Sequence, residues 1–279
     1  MRSDALAAAA ELISGAEALL ICAGAGLGVD SGLPDFRGDA GFWRAYPPYE
    51  RLGLSFAEVA DPVHFAEDPE LAWGFYGHRL ELYRETVPHE GFAVLRRWAA
   101  RAPAGARVFT SNVDGQFHRA GFAAEQVAEC HGSIHHLQCL EPCTDEVWPA
   151  GELSVPVEID TMRARPPLPA CRNCGGIARP NILMFGDWSW VPGFAQPRLD
   201  ELQVWRRSLR AARLVVVELG AGTAVPTVRR HAELASAASG ALVRINPREP
   251  EVRHGRGISI ASGALEALTA IEELLTTRR

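Results

Sequence analysis

The feature that most constrains the fold of this chain is an apolar run near its start that ends in glycines. Residues 18–23 read Ala-Leu-Leu-Ile-Cys-Ala, and Gly24-Ala25-Gly26 follows directly. An uninterrupted apolar run of this length is typical of a parallel strand buried on both faces. A Gly-x-Gly turn after such a strand lets the backbone approach a pyrophosphate closely, because no Cβ atom intervenes. The pattern predicts a dinucleotide-binding turn.

Similar apolar runs recur along the chain, at 107–110, 214–219 and 241–246, and helix-like sequence flanks each of them. A helical pattern over 5–14 precedes the first run, and another over about 263–275 closes the chain. Alternation of short buried strands with helices is typical of α/β proteins. The sequence predicts a doubly wound, parallel, Rossmann-like sheet.

Two stretches interrupt this alternation. Residues 39–90 have apolar side chains at helical spacing, whereas residues 139–178 are rich in Pro, Glu and Arg and are enclosed by cysteine pairs. We therefore expect a smaller inserted domain, part helical and part zinc ribbon, beside the main one. The predicted NAD-binding domain comprises residues 1–38, 91–138 and 179–279, and the predicted small domain comprises residues 39–90 and 139–178.

The charge balance argues against some classes of partner. The chain has 28 basic and 34 acidic residues, a formal net charge of -6, so no overall positive field would attract nucleic acid or anionic lipid. Its apolar start is broken by Glu11 and Glu17 and reads as a helix rather than a secretory segment. No run of about 18 uncharged apolar residues occurs. We expect a cytoplasmic protein that binds neither nucleic acid nor membrane.

Four of the six cysteines form two close pairs, Cys139 with Cys143 and Cys171 with Cys174. In a reducing compartment such pairs indicate a metal site rather than disulfides. Four thiolates suit tetrahedral zinc and leave no position open for substrate, so the metal is expected to be structural. Four unrelated buried cysteines are the alternative.

The glycine turn does not match the usual dehydrogenase fingerprint. Val29 stands where that fingerprint requires a third glycine, and no helix begins at once. For an isolated Gly-x-Gly, an ordinary strand-to-helix corner is the alternative. The chain instead continues at 31–37 as Ser-Gly-Leu-Pro-Asp-Phe-Arg. This continuation closely resembles the signature of the sirtuins, which are NAD-dependent protein deacylases.

Further segments resemble sirtuin motifs, in the same order, along nearly the whole chain. They are Thr-Ser-Asn-Val-Asp at 110–114, Gln-Phe-His-Arg-Ala-Gly at 116–121, Glu-Cys-His-Gly-Ser at 129–133, the cysteine module, and Arg-Pro-Asn-Ile-Leu-Met-Phe-Gly-Asp at 179–187. The resemblance implies a bacterial-type sirtuin that consumes NAD as a co-substrate and holds a structural zinc ion.

The resemblance also implies three catalytic residues for cleavage of the bond between nicotinamide and ribose. His131 is expected to be the general base that activates a ribose hydroxyl, since an imidazole pKa of about 6.5 lies near working pH. Asn112 is expected to orient the ribose or an attacking water, and Asp114 to accept a hydrogen bond from the nicotinamide carboxamide. A packed histidine and an Asx turn at the strand end are the alternatives.

A larger set of residues is expected to contact the cofactor. Within it, Phe36 would shield the ribosyl face from water, Arg37 would pair with a phosphate, and Asn246 would hold the adenine ribose. Ala221 and Gly222 replace the Thr and Ser of the family, so phosphate binding there would depend on backbone N–H groups. The set comprises Gly24, Ala25, Gly26, Asp35, Phe36, Arg37, Ser111, Asn112, Asp114, Gly220, Ala221, Gly222, Asn246, Pro247 and Ala264.

The partner implied by the resemblance is an acylated protein, with Leu183, Phe185 and Gly186 in contact with it. Tyr76 and Arg79 have the Tyr-x-x-Arg spacing that some sirtuins use to bind acidic acyl chains such as succinyl. On a helix the two residues share a face, and Arg79 has the geometry to bind a carboxylate with two hydrogen bonds. Tyr76 in the core with Arg79 on the surface is the alternative.

Deacylation of lysine, with release of nicotinamide and O-acyl-ADP-ribose, is the expected reaction. Three departures from the family pattern surround the acyl-acceptor side, namely Gly28 for Ser, Ser111 for Gln and Asp187 for Glu. They leave mono-ADP-ribosyl transfer to protein, or NAD hydrolysis, as an alternative. A non-catalytic sensor of NAD or ADP-ribose is a second alternative, although such a sensor would not need His131 and Asn112.

Overall fold

The computed structural model describes residues 3–34, 38–209 and 213–277. Its strands are β1 (Ala18–Ala23), β2 (Ala106–Thr110), β3 (Val127–Glu129), β4 (Gly132–Cys139), β5 (Trp148–Pro149), β6 (Val157–Glu158), β7 (Arg163–Ala164), β8 (Ala178–Ile182), β9 (Leu214–Leu219), β10 (Leu242–Ile245) and β11 (Ile258–Ile260). Its α-helices are α1 (Ser3–Ser14), α2 (Gly38–Ala45), α3 (Pro47–Arg51), α4 (Phe56–Val59), α5 (Val63–Glu67), α6 (Pro69–Glu85), α7 (Glu90–Arg101), α8 (Gln116–Arg119), α9 (Ala195–Ser208), α10 (Thr227–Ser236) and α11 (Ala264–Thr277).

Six of these strands form one parallel sheet in the order β11-β10-β9-β1-β2-β3. This topology confirms the prediction of a doubly wound, Rossmann-like sheet. The chain proceeds from β1 to β2 and β3 on one side, and β9, β10 and β11 continue on the other side. The carboxyl end of β1 is therefore the point at which the strand order reverses, where open α/β sheets bind their ligands.

Both faces of β1 are covered, which explains why its sequence is apolar throughout. Leu19 and Ile21 pack in one cluster, to which α1, α7 and α11 contribute. Leu20 and Cys22 pack in the cluster on the opposite face, to which α9 and α10 contribute. None of the described helices is both long and apolar enough to cross a bilayer.

A second packing group lies beside the parallel sheet and combines α2 to α6 with the antiparallel sheet β5-β4-β8 and the pair β6–β7. Its centre is aromatic. Phe42 and Phe75 meet edge to face at 5.8 Å, and the Trp73 indole donates a hydrogen bond to the carbonyl oxygen of Ala178. A Cβ atom on Gly74 would lie 1.8 Å from the carbonyl oxygen of Met162, so only glycine lets α6 approach this chain segment.

On these packing groups we propose the two-part division given by the sequence, with residues 39–90 and 139–178 as the small domain. Strands β4 and β8 would join the two parts. They pair with each other, they pack in the aromatic group, and their outer ends lead into the segment that contains the cysteines.

Candidate active site

The turn after β1 touches the turn after β9. The amide of Gly26 donates a hydrogen bond to the carbonyl oxygen of Gly220 at 3.0 Å. Gly220 has a φ of +61°, and a Cβ atom there would lie 2.4 Å from the carbonyl carbon of Gly26. A Cβ atom on Gly24 would lie 2.7 Å from the Cα atom of Ala221. Glycine is thus required at both turns because the two backbones are in contact.

A cavity of about 100 Å³ opens between these two turns and the start of α11. Four of the predicted cofactor contacts line it, namely Gly26, Gly220, Pro247 and Ala264. Asp30, which no sequence motif singled out, also lines the cavity. Its carboxylate accepts a hydrogen bond from the amide of Leu265 at 2.8 Å and so caps the first turn of α11.

Asn112 lies just past β2, at the carboxyl edge of the sheet. Its side-chain Nδ2 donates a hydrogen bond to the carbonyl oxygen of Gly24 at 3.1 Å, and its backbone amide donates to the hydroxyl of Thr110. Thr110 in turn donates to the carbonyl oxygen of Ala23. This chain of hydrogen bonds fixes the amide of Asn112 against the glycine turn. Ser111 lies beside it, with its backbone amide bonded to the carbonyl oxygen of Ala23.

Asp114 is buried close behind Asn112. Its carboxylate accepts a hydrogen bond from the amide of Gln116 at 2.9 Å, which begins α8. Burial, assisted by the negative charge of Glu129, raises the pKa of Asp114 to about 6 in spite of the lowering effect of that hydrogen bond. Asp114 is therefore a carboxylate at pH 7 that takes up a proton unusually readily.

His131 lies between the end of β3 and the start of β4. Its carbonyl oxygen accepts a hydrogen bond from the amide of Leu183 at 2.9 Å, which joins the two packing groups at this residue. Gly132, with a φ of +77°, follows it, and a Cβ atom there would lie 2.0 Å from the carbonyl oxygen of Asn181. Burial lowers the pKa of His131 below its ordinary value. The imidazole is therefore neutral at pH 7, the form that accepts a proton.

The four paired cysteines come together at the far end of β4. Their sulfur atoms all lie within 4.8 Å of one another, with 3.7 Å between those of Cys139 and Cys174 and 3.6 Å between those of Cys143 and Cys171. A tetrahedron with Zn–S bonds of about 2.3 Å places its sulfur atoms about 3.8 Å apart. The residues present therefore fit a zinc ion held by four thiolates.

Comparison with known proteins assigns the family. The model of the Sir2 family matches residues 24–200. An NAD-dependent protein deacylase of Pyrobaculum aerophilum is 31% identical over 272 residues, which cover 96% of this chain and 95% of the relative. The chain belongs to the Sir2 family.

Other Sir2 proteins match over most of this chain as well. An NAD-dependent protein deacylase of Aquifex aeolicus is 32% identical over 82% of this chain and 83% of its own. Among solved structures, a mutant Sir2 homologue in complex with ADP-ribose has a TM-score of 0.73 at 27% identity, covering 100% of this chain and 98% of its own. A Sir2 homologue in complex with NAD has a TM-score of 0.71 at 26% identity, and the match covers 97% of this chain and 94% of the homologue.

In this Sir2 chain, the turn after β10 is closed by Asn246. Its Nδ2 donates to the carbonyl oxygen of Ala221, and its Oδ1 accepts from the amides of Arg248 and Glu249. The buried side chain of Asn246 thus joins the turn after β9 to the turn after β10. Gly222 lies in the turn after β9.

Ala25 begins the 3₁₀ helix Ala25–Ser31 that continues the glycine turn. The predicted contacts Asp35, Phe36 and Arg37 lie outside the described residues.

Tyr76 and Arg79 lie inside the aromatic group, on α6. The Arg79 guanidinium donates hydrogen bonds from Nε and Nη2 to the hydroxyl of Tyr83, at 3.0 and 2.7 Å. Its Cζ atom lies 4.9 Å from the ring centre of Phe75 and 5.6 Å from that of Tyr76. Because Arg79 is only 6% exposed, the alternative of a surface arginine is wrong.

A buried ion pair between the start of β8 and the loop that follows this strand was not foreseen from the sequence. The guanidinium of Arg179 donates two hydrogen bonds of 2.8 Å to the carboxylate of Asp187, and both side chains are fully buried. Asp187 also accepts from the amides of Met184 and Ser189. The sequence pattern that could have indicated this pair is the segment 179–187, because its first residue, Arg179, and its last, Asp187, are the two partners.

Proposed function

We propose that this Sir2-family chain is an NAD-dependent protein-lysine deacylase. It would transfer an acyl group from lysine to ADP-ribose and release nicotinamide and O-acyl-ADP-ribose. One observation carries the proposal. Gly24, Asn112 and His131 follow three adjacent parallel strands, β1, β2 and β3, so the phosphate turn, an anchored amide and a neutral imidazole share one edge of the sheet.

Each catalytic side chain suits a separate task at that edge. The neutral imidazole of His131 accepts the proton of a ribose hydroxyl as that oxygen becomes a nucleophile. Asn112, fixed by its bond to Gly24, orients the ribose. The carboxylate of Asp114 accepts a hydrogen bond from the nicotinamide carboxamide. NAD, as the co-substrate, supplies the glycosidic bond that breaks when nicotinamide leaves.

A zinc ion at the four cysteines would be structural. All four ligand positions are thiolates, so no position is open for a water or an acyl oxygen. Its contribution would be to hold the ends of β4 and β8 and the segment between them in place. The reaction itself depends on the residues at the sheet edge.

We further propose a preference for acidic acyl groups such as succinyl. Arg79 is a buried cation on the same helix face as Tyr76, and its planar N–H groups have the charge and geometry to bind the terminal carboxylate of an acidic acyl chain. We expect at least tenfold higher kcat/KM for succinyl-lysine than for acetyl-lysine peptide, and loss of that preference in Arg79→Met.

Arg79→Lys is the matched control for this preference. It retains the positive charge but loses the planar pair of N–H groups, so we expect a reduced succinyl preference. An unchanged ratio of succinyl to acetyl activity in Arg79→Met would refute the role of Arg79, while leaving the deacylase proposal intact.

Release of nicotinamide, measured with and without acyl peptide, tests the deacylase proposal. We expect release that depends on peptide and that is lost in His131→Tyr. Release without peptide would identify a hydrolase or an ADP-ribosyltransferase, and tight NAD binding with no release would identify a sensor. The partner we propose is an acylated protein, and a cytoplasmic location stays a prediction from the sequence.

A further inference from the structure

The loop after β8 displays a tryptophan in solvent. The side chain of Trp188 is 99% exposed, the most exposed of the large apolar residues in the described part of the chain. Tryptophan is usually largely buried, because its ring has the largest apolar surface of any side chain. A fully exposed indole leaves both of its faces available to a ligand.

The backbone that carries Trp188 is firmly held on both sides. The preceding residue, Asp187, is bound to Arg179 in the fully buried ion pair. The carbonyl oxygen of the following residue, Ser189, accepts a hydrogen bond from the Nε2 atom of Gln138 at 2.8 Å. The backbone position of Trp188 is therefore set before any ligand arrives, so only the side chain needs to be ordered on binding.

Trp188 continues the segment that touches the candidate base. Leu183 donates its amide hydrogen bond to His131, and Phe185 donates its own to the carbonyl oxygen of Ala60. The side chains of Leu183 and Phe185 are 37% and 41% exposed. Exposed apolar side chains therefore follow one another along this strip of chain, from Leu183, which is bonded to His131, to Trp188. This is the segment that we assign to the protein substrate.

The surroundings of this strip are acidic. The Oδ2 atom of Asp61 would lie 3.6 Å from a Cβ atom on Gly186, two residues before Trp188. Glu58 lies on α4, the helix whose Phe56 contacts Phe185, and hydrogen bonds from Ser55 lower its pKa, so it is ionised at pH 7. Residues 55–67 contain neither arginine nor lysine.

We propose that Trp188 determines specificity by stacking its indole face on an arginine of the substrate, next to the acyl-lysine. Tryptophan provides the best cation–π surface among the aromatic side chains. The carboxylate of Asp61 adds a complementary charge. This inference rests on the proposed deacylase function, and it narrows the substrate class to basic segments of protein.

Two acyl peptides that differ only in charge test the proposal. One has arginine on both sides of the acyl-lysine, and the other has citrulline, the neutral isostere, at both positions. In the native chain we expect KM, and the Kd of the labelled peptide, to be about fivefold lower for the arginine peptide. In Trp188→Ala the ratio falls to about one, and in Trp188→Phe it falls to about two.

Matched variants separate this effect from general changes in the surface. Leu234→Ala removes another exposed apolar side chain, on α10, and keeps the fivefold ratio. Asp61→Asn retains an oxygen to accept the amide hydrogen bond of Val63 but removes the charge, and the ratio falls about twofold.

Equal binding of the two peptides by the native chain, or an unchanged ratio in Trp188→Ala, overturns the proposal. Kd is measured without turnover, so it decides the role of Trp188 even if neither peptide is deacylated. If neither peptide is deacylated, the proposed deacylase function is refuted, and the role of Trp188 in binding is still decided by Kd.

Discussion

Two buried ion pairs, one in each packing group, have the same chemistry but different surroundings. Arg244 and Glu218 lie directly opposite each other on β10 and β9, strands that are already joined by backbone hydrogen bonds. Arg179 and Asp187 join a strand to a loop that has little regular structure of its own. All four side chains are fully buried.

The difference shows what each pair contributes. Arg244 also binds Glu233 on α10, so the first pair fixes a helix against the sheet and contributes to stability. The second pair holds the loop after β8, which begins at Leu183 beside His131 and continues past Trp188. It therefore positions a surface of the proposed substrate site. The parallel sheet is held by its continuous apolar core, whereas the smaller group adds a buried ion pair and a cluster of four cysteines to its aromatic centre.

Loss of the zinc site should produce the largest effect. In Cys171→Ser we expect the metal content to fall from one zinc per chain to near zero and activity to be abolished, since structural zinc contributes about 10 kcal/mol or more to folding in small modules. We expect most of the helix content to survive, because none of the four cysteines belongs to the apolar clusters of the parallel sheet. Atomic absorption and far-ultraviolet circular dichroism measure the two quantities.

Cys22→Ala is the control, because Cys22 is buried in the sheet and should leave the zinc content unchanged. Complete unfolding of Cys171→Ser would show that the parallel sheet depends on the zinc site for folding as much as the smaller group does.

The two ion pairs should separate stability from substrate binding. Asp187→Asn leaves the buried Arg179 without its counter-charge, and Glu218→Gln leaves the buried Arg244 with Glu233 as its carboxylate partner. We expect each variant to lower the free energy of unfolding, by about 3 kcal/mol in Asp187→Asn and by somewhat less in Glu218→Gln. Only Asp187→Asn should also raise KM for the acyl peptide, by about tenfold, because it frees the loop. Denaturant titration and steady-state kinetics check these expectations. Equal effects of both variants on KM would contradict the comparison.

A smaller effect should appear in the pH dependence of NAD binding. Because the pKa of Asp114 is raised to about 6 in the folded chain, its carboxylate is protonated as pH falls through 6. We expect KM for NAD to rise up to tenfold between pH 7 and pH 5, since the charged acceptor that we propose for the carboxamide would be lost.

Stability should respond to the same group in the opposite direction. The unfolded chain keeps Asp114 ionised down to about pH 3.9, so this group favours folding as pH falls from 6 toward 4. Asp114→Asn should flatten both profiles. A KM for NAD that is constant from pH 5 to 8 in the native chain would exclude this role.

Four of the six strands of the parallel sheet were predictable from the sequence, because each lies in a largely apolar run that is buried in the sheet. The run at 18–23 is β1 with the same limits. The three-residue strands β3 and β11, at the two edges of the sheet, were not predicted, since they are too short to form such a run. The cysteine cluster was predictable from spacing alone, because two close pairs need only one turn of chain each. The Sir2 motifs then indicated which strand ends are important.

The antiparallel sheet and the anchored loop were not predictable in the same way. Strands β4 and β8 are about forty residues apart and no hairpin turn joins them, so their pairing leaves no local signal. The partner of Arg179 is a loop carboxylate, and helical spacing placed Arg79 beside Tyr76 without showing the rings around it. Such contacts depend on tertiary packing rather than on periodicity.

The fate of a labelled acyl group tests the central claim most directly. With native protein, NAD and a peptide that carries a ¹³C-labelled acyl-lysine, we predict one labelled O-acyl-ADP-ribose for each nicotinamide released, as followed by mass spectrometry, and neither product from His131→Tyr. Release of nicotinamide with the label retained on the peptide, or with the peptide heavier by one ADP-ribosyl group, would contradict the account.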